Sequence, residues 1–289
     1  GGVLLEQKNA PPDVVPQSEV SYRTPQPDYA VIPKLPARVI LCGPSGGGKG
    51  IILQNFILKY WRGKFARIFY FSPTVHLDPA LNPIKKYIEG TLGQEDWAHE
   101  RFDESALQDI LDTQERVCDY IKKKNPKGGE MHNICVVIDD FADDARVVRQ
   151  SRALISLYLR GRHIKCTTIT STQVWRALHP HIRKNALSLI VLRLRNQTEI
   201  EALADELGAL HPDGKKGILA LYREATDEEY SYLYVDLTAK KPADMFYRKW
   251  RKMALRNESS IDAQGFDGAV ENVGRSSGYT GQTQAVRYR

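Results

Sequence analysis

The chain alternates short apolar runs with stretches in which apolar residues recur at helical spacing. Runs rich in β-branched and aromatic residues predict strands, and apolar positions three or four residues apart predict helices. Strands are predicted at 38–42, 67–71, 133–138, 164–170, 187–194, 217–222 and 230–236. Helices are predicted at 49–61, at 105–124 with Ser105 as its cap, at 146–160, and at 198–207 with Gly208 as its end.

Several of the predicted strands are apolar from end to end, which is typical of parallel strands buried on both faces. With the strand–helix alternation, this predicts an α/β fold with a mainly parallel sheet flanked by helices on both faces. The alternation occupies residues 37–237. Residues 1–36 are dense in proline and predict an extended arm. Residues 238–256 are basic and amphipathic, and residues 257–289 are rich in Gly and Ser and predict a disordered tail.

The composition narrows the class of protein. Of the 289 residues, 42% are hydrophobic and 26% are charged, which excludes collagenous, mucin-like and wholly disordered chains. The formal charge of +6 permits a polyanionic partner without requiring one. No apolar run approaches the roughly 18 residues that span a bilayer, and no secretory signal is visible. The four cysteines form no CxxC pair, which argues against a zinc or redox site and predicts small buried side chains.

The strongest chemical signal is a glycine-rich loop, GPSGGGKG at 43–50, between a predicted strand and a predicted helix. It matches GxxxxGK, in which glycines let backbone amides wrap around phosphate and the lysine reaches the β- and γ-phosphates. The alternative, a glycine-rich turn with a solvated lysine, is disfavoured by the two flanking elements. The predicted nucleotide contacts are Gly43, Pro44, Ser45, Gly46, Gly47, Gly48, Lys49, Gly50 and Ile51.

One position departs from this motif. The residue after the lysine is usually Ser or Thr, whose hydroxyl binds Mg²⁺, and here it is Gly50. Water can fill that coordination place, because Mg²⁺ commonly keeps several waters. Nucleotide binding is therefore expected to survive, with slower turnover or a more demanding Mg²⁺ requirement.

Two further polar groups follow apolar strands. Asp139 and Asp140 end the run 134–138, where the first would hold Mg²⁺ through water and the second would polarise the attacking water. Gln173 follows the run 164–170, where its amide would orient water and sense the γ-phosphate. The alternatives are a strand entering a solvated turn and an ordinary exposed glutamine.

Two arginines precede the strand that leads to Gln173. Arg160 or Arg162 would reach the γ-phosphate bound by a neighbouring subunit and stabilise charge in the transition state. The alternative is a pair of solvated or phosphate-contacting arginines.

Four motifs carry a family resemblance: GPSGGGKG at 43–50, VVIDDF at 136–141, LRGRH at 159–163 and TSTQ at 170–173. With these, the chain resembles the FtsK/HerA superfamily of P-loop ATPases. More narrowly, it resembles the poxvirus A32-type genome-packaging ATPases of large DNA viruses, virophages and polinton-like elements. The resemblance covers roughly residues 30–237. It implies a P-loop NTPase fold of the ASCE type, in which an extra strand separates the phosphate-loop strand from the acidic strand.

The resemblance also implies chemistry and partners. It assigns Lys49 to phosphate, Asp139 to Mg²⁺, Asp140 to catalysis and Gln173 to sensing, with Arg162, and second Arg160, as a trans-acting finger. It implies ATP and Mg²⁺ as ligands, and a homo-oligomeric ring, pentamer or hexamer, that pumps double-stranded DNA into a preformed capsid. The implied protein partner is a capsid or portal protein. The implied location is the assembly site of an infected cell or the virion.

Three basic stretches are candidates for contact with the DNA backbone: 122–127, 183–184 and 246–252, of which the last mixes charge with aromatics. A solvated face is the alternative for each. Other functions also stay open: a HerA- or conjugation-type DNA pump, a nucleotide-binding assembly subunit that does not hydrolyse, and a small-molecule kinase. The kinase is disfavoured because the acidic pair, Gln173 and the arginines fit a ring ATPase better.

Overall fold

The apolar runs form a nine-stranded sheet in a computed structural model that describes residues 20–141 and 145–255. The strands are β1 (Tyr22–Arg23), β2 (Arg38–Cys42), β3 (Arg67–Phe71), β4 (Ala98–His99), β5 (Gly129–Glu130), β6 (Ile134–Asp139), β7 (Cys166–Thr172), β8 (Ser188–Leu192), β9 (Tyr232–Asp236), β10 (Phe246–Arg248) and β11 (Arg251–Lys252). The helices are α1 (Lys49–Asn55), α2 (Asn82–Gly90), α3 (Glu104–Lys124), α4 (Ala145–Gln150), α5 (Arg152–Arg160), α6 (Pro180–Asn185), α7 (Gln197–Leu207) and α8 (Gly214–Ala225). A π-helical turn at Phe56–Tyr60 continues α1.

The main sheet has the strand order β11-β10-β9-β8-β2-β7-β6-β3-β4. The strands from β8 to β4 in this order pair in parallel. Beyond β8, each of the successive pairs β8–β9, β9–β10 and β10–β11 is antiparallel. Strand β7 lies between β2, which leads into the phosphate loop, and β6, which ends in Asp139. This intervening strand and the mainly parallel sheet confirm the predicted fold class.

Helices cover both faces of the sheet, because successive side chains of each strand point to opposite faces. Val39 and Leu41 of β2 pack in a core with α1 and α2. Ile40 and Cys42 pack in a second core with α3, α5, α7 and α8. All four cysteines are buried free thiols, as predicted. No helix within residues 20–141 and 145–255 is long and apolar enough to cross a membrane.

One predicted strand is wrong. Residues 217–222 lie in helix α8. The prediction failed because a short apolar run fits a buried helix as well as a strand. Gly217 is needed there for close packing, because a Cβ at this position would overlap the imidazole ring of His211. In the sequence, Gly217 favours a turn or strand over a helix. In the structure, it lies in a helix, where its lack of a side chain makes room for His211.

Three predicted helix boundaries also differ. The helix at 146–160 is divided into α4 and α5 at Ser151, whose hydroxyl accepts a hydrogen bond from the amide of Leu154. Asp103 rather than Ser105 caps α3, because its carboxylate accepts from two amides of the first turn. Gly208 has right-handed helical dihedrals and continues α7 into a 3₁₀ turn.

The segments outside the predicted domain are described in part. Strand β1, within the arm at 1–36, pairs in parallel with β5, apart from the main sheet. The basic segment 238–256 contributes β10 and β11 to the main sheet. Residues 1–19 and the predicted tail at 257–289 lie outside the described residues.

Candidate active site at the carboxyl edge of the sheet

The phosphate loop, the acidic pair and the glutamine meet at one edge of the sheet. Strands β2, β7 and β6 are parallel neighbours, so their carboxyl ends share this edge. The Gly43 amide donates to the carbonyl of Thr172 at 3.0 Å, and the Asp140 amide donates to the carbonyl of Ser171 at 3.3 Å. These bonds tie the loop and both polar strand ends together. Four predicted residues thus converge: Lys49, Asp139, Asp140 and Gln173.

The loop holds its lysine close to its own backbone. Gly48, the last residue before α1, has a φ of 103°, a left-handed conformation that glycine adopts without strain. Lys49 is only 7% exposed. Its Nζ donates to the carbonyls of Gly43 at 2.8 Å and Pro44 at 3.1 Å. The ammonium group is therefore fixed over the concave side of the loop.

Asp139 stands beside two hydroxyl groups. The Tyr70 hydroxyl donates to its Oδ2 at 3.0 Å. Burial raises the pKa of the Asp139 carboxyl, and the Ser171 and Tyr70 hydroxyls partly offset that increase. One carboxylate with neighbouring hydroxyls suits Mg²⁺, which proteins usually hold through one or two carboxylates together with substrate phosphates and water.

Space is open where the hydroxyl-bearing residue of the motif usually stands. A Cβ built on Gly50 has no heavy atom within 4 Å, and the glycine does not have a positive φ. The glycine is therefore not required by close packing or by backbone conformation. A serine would fit at this position.

Asp140 and Gln173 are joined directly. Gln173 Nε2 lies 2.8 Å from both carboxylate oxygens of Asp140. Asp140 itself has a φ of 52°, which is uncommon for a residue with a side chain, although Asp and Asn adopt it more readily than most. The carboxylate is thus held by an unusual backbone conformation and by the amide of the glutamine.

An aromatic cavity opens beside the phosphate loop. It has a volume of about 360 Å³, within the range of small-ligand pockets. Two exposed side chains line the cavity: Ile51 of α1, which is 58% exposed, and Tyr230, which is 63% exposed. The Tyr230 ring lies against the phosphate loop, 3.4 Å from where a Cβ on Gly48 would stand. The lining residues are Gly47, Gly48, Ile51, Ile52, Asn55, Tyr60, Leu192, Tyr230, Tyr232, Lys249 and Trp250.

Trp250 forms one wall of this cavity. Its ring makes edge contacts with four aromatic rings, and its Nε1 donates to the Tyr60 hydroxyl at 3.2 Å. The basic stretch 246–252, one of the candidates for DNA contact, forms β10 and β11 at one edge of the main sheet. Arg248 is ion-paired with Asp227 and Glu228, both at 2.7 Å.

The two candidate finger arginines lie at the opposite edge of the sheet. Arg160 ends α5, and Arg162 follows it before the start of β7, whereas Gln173 follows the end of β7. Strand β7 separates the two edges by about 20 Å at roughly 3.3 Å per residue. Both arginines are exposed, and among the described residues neither is ion-paired with a carboxylate. Within one chain they do not reach the phosphate loop.

The other two basic stretches also lie near this opposite edge. Lys122, Lys123 and Lys124 form the last turn of α3, just before β5 and β6. Arg183 is 13% exposed and pairs with Glu206 at 2.8 Å. Lys122 pairs with the exposed Asp119 at 3.5 Å, and the Lys124 ammonium lies over the Tyr120 ring at 4.9 Å. The charges at 122–124 are therefore more exposed than that of Arg183.

Sequence reasoning missed three residues of the site. Tyr70 lies inside a strand that reads as plain sheet, and Ser171 lies in the TSTQ motif but has no role assigned there. Only the alternation of side chains along the strands places both on the same face as Asp139. Glu199 is 5% exposed and accepts from the backbone amide of Arg176 at 3.0 Å and from its Nε at 2.8 Å. It thereby anchors the segment that follows Gln173. In the sequence it reads as a favourable charge in the first turn of α7.

The chain is similar to known viral and conjugation proteins in sequence or in fold. The family described as Poxvirus A32 protein matches residues 26–208. The uncharacterized protein 075L of Invertebrate iridescent virus 6 is 24% identical over 237 residues, covering 76% of this chain and 80% of the relative. Among solved structures, B204, the DNA-packaging ATPase from Sulfolobus Turreted Icosahedral Virus, is 16% identical with a TM-score of 0.46, covering 74% of this chain and 97% of that one. The pCW3 conjugation coupling protein TcpA, bound to ATPγS, is 16% identical with a TM-score of 0.48. The match covers 79% of this chain and 63% of TcpA.

Proposed function

The chain belongs to the poxvirus A32 protein family, as its motifs predicted, and we propose that it is an ATPase that drives double-stranded DNA into a viral capsid. The observation that carries the proposal is the convergence of Lys49, Asp139, Asp140 and Gln173 at the carboxyl edge of β2, β6 and β7. A phosphate-binding lysine and two carboxylates with separate surroundings are the groups that ATP hydrolysis requires.

Each residue has a separate role in this proposal. The Lys49 ammonium binds the β- and γ-phosphates, and the Asp140 carboxylate accepts a proton from the attacking water. Gln173 positions that water and contacts the γ-phosphate. Asp139 holds Mg²⁺, which when bound neutralises charge on the phosphate oxygens.

The aromatic cavity is proposed to hold the nucleotide base. Tyr230 lies against the phosphate loop, so a base seated between Tyr230 and Trp250 would be continuous with phosphates on Lys49. Stacking of a base on an aromatic side chain contributes about 1–3 kcal/mol.

Replacing Tyr230 should weaken ATP binding about tenfold, which corresponds to about 1.4 kcal/mol of lost stacking. Tyr230→Asn is the suitable variant, because asparagine tolerates the φ of 56° at this position. Inorganic tripolyphosphate has no base, so its affinity should not change. The control is Tyr120→Ala, a similarly exposed tyrosine on α3. Equal weakening of ATP and tripolyphosphate would show that the cavity does not hold the base.

The partners are proposed from the family resemblance and the charge distribution. We place DNA at the basic edge that includes Lys122–Lys124, with contacts to phosphate because a pump moves over any sequence. Arg162, and second Arg160, would act on the nucleotide of the neighbouring subunit in a homo-oligomeric ring. The remaining partner is a capsid or portal protein, at the site of virion assembly in an infected cell.

The direct test is Mg²⁺-dependent ATP hydrolysis with and without double-stranded DNA of random sequence. DNA should stimulate hydrolysis, the stimulation should fall as salt rises, and Lys49→Ala should abolish it. Gly50→Ser is assayed beside the unsubstituted chain to measure what the missing hydroxyl costs in rate. Transfer of phosphate to an added small acceptor without DNA would instead identify a kinase.

A second candidate function is favoured by Gly50. A chain that binds ATP tightly but hydrolyses it only after Gly50→Ser would be a nucleotide-locked assembly subunit rather than a motor. A HerA- or conjugation-type pump would give the same stimulated hydrolysis as a packaging motor. Binding to the capsid protein of the source virus, measured with purified components, separates those two pumps.

A further inference from the structure

An unpartnered hydroxyl lies beside the carboxylate that is proposed to hold Mg²⁺. Ser171 is 4% exposed, and its Oγ forms no hydrogen bond of normal geometry with any residue in the described ranges, although it lies near enough to Asp139 to lower the pKa of that carboxyl. Buried hydroxyls nearly always have a partner, so an orphaned one at a polar edge indicates a missing ligand. Ser171 is also the register partner of Asp139 on the adjacent strand.

The alternation of β7 shows where the Ser171 side chain points. Ile169, two residues earlier, packs in the core that contains Leu53 of α1, and Leu41 on β2 is the register partner of Ser171 and belongs to that core too. Ser171 therefore faces the side of the sheet on which α1 packs. Because Asp139 follows Val137 by two residues, it faces the same side.

This is also the side on which the phosphate loop lacks its hydroxyl. Helix α1 begins with Lys49 and Gly50, and the space around the Gly50 Cα is open. The site thus combines an absent hydroxyl on α1 with an unused hydroxyl on the neighbouring strand.

We propose that Ser171 supplies to Mg²⁺, directly or through one water, the hydroxyl that Gly50 does not. The inference rests on the proposed ATP site and names a residue of it that the phosphate-loop motif does not contain. It gives the chain a rearranged Mg²⁺ shell in which the hydroxyl comes from β7 and the carboxylate from β6.

The test measures metal affinity rather than turnover. Mn²⁺ is titrated by electron paramagnetic resonance into the full chain in the presence of a non-hydrolysable ATP analogue. Ser171→Ala should weaken Mn²⁺ binding about tenfold, the size of effect seen when groups around a metal shell are removed. Its thermal midpoint without metal should be unchanged or higher, because the substitution removes an unsatisfied buried group.

The chain offers a matched control on the same strand. Thr168 is fully buried and its hydroxyl also lacks a partner among the described residues, but it lies about 10 Å from Ser171 along β7 and faces the other side of the sheet. Thr168→Val should leave Mn²⁺ affinity unchanged. Gly50→Ser should restore the affinity of Ser171→Ala to within about threefold of the unsubstituted chain, since the two hydroxyls then substitute for each other.

Two outcomes overturn the inference: Ser171→Ala affecting Mn²⁺ no more than Thr168→Val does, or Gly50→Ser failing to restore the affinity. The proposed function can fail separately, because the titration needs neither hydrolysis nor DNA. Mn²⁺ affinity that depends on Ser171 in a chain without DNA-stimulated hydrolysis would support the metal ligand and reject the motor.

Discussion

Replacing Lys49 by alanine should weaken ATP binding by at least about a hundredfold and remove measurable hydrolysis. The Nζ of Lys49 is held by hydrogen bonds to two loop carbonyls. Charge-assisted bonds from such a prearranged donor are about twice as strong as neutral ones, and removing a prearranged donor to a developing charge costs about 10²–10³ in rate. A fluorescent ATP analogue titrated into the protein measures the affinity.

The control for this change is Lys86→Ala, which removes an exposed lysine from α2. It should leave both affinity and rate unchanged. Lys49→Gln is measured beside it, since its neutral amide removes the charge but can still donate to the loop carbonyls and keep the loop folded. ATP binding that survives in both Lys49 variants would reject the phosphate loop as the nucleotide site.

Replacing Asp140 by asparagine should lower the maximal hydrolysis rate by about 10²–10⁴, the usual contribution of a positioned general base. ATP affinity should change by less than about threefold, because the substitution leaves the phosphate loop intact. Asparagine is chosen because it tolerates the φ of 52° and its carbonyl oxygen can still accept a bond from Gln173. Single-turnover hydrolysis and equilibrium binding separate the two quantities.

Asp112→Asn, an exposed change on α3, serves as its control and should retain full activity. Asp139→Asn provides the contrast. It should raise the Mg²⁺ concentration needed for half-maximal rate, whereas Asp140→Asn should leave that concentration unchanged. If Asp140→Asn instead shifts the Mg²⁺ requirement and Asp139→Asn does not, the roles of the two carboxylates are reversed.

The parallel part of the fold could be predicted because its strands are buried on both faces. The bounds of β2 and β3 match the predictions at 38–42 and 67–71, since continuous apolar runs between polar turns leave little ambiguity. Helix α8 could not be predicted in the same way. Its apolar positions are as compatible with a strand, and only the contact of Gly217 with His211 explains why a glycine lies in that helix.

The candidate site was predictable where a local motif specifies the chemistry. The loop at 43–50, the acidic pair and Gln173 each follow an apolar strand, and parallel pairing brings such strand ends together. The aromatic cavity and the Ser171 hydroxyl could not be predicted, because they depend on contacts between distant segments. Trp250 reads as part of a basic stretch in the sequence, yet its indole packs against Tyr60, 190 residues away along the chain.

With the base in the aromatic cavity, as proposed, the nucleotide site would draw on two stretches of the chain. The family match ends at residue 208, whereas Tyr230, Tyr232 and Trp250 come from the antiparallel strands and turns that follow α8. The aromatic side chains of Tyr230 and Trp250, proposed for the base, therefore lie outside the segment that carries the groups proposed for phosphate chemistry. We expect substitutions confined to this last part of the sheet to change the preference for the nucleotide base while leaving the residues proposed for hydrolysis untouched. On this proposal, nucleotide preference and hydrolysis would be separable traits of the chain.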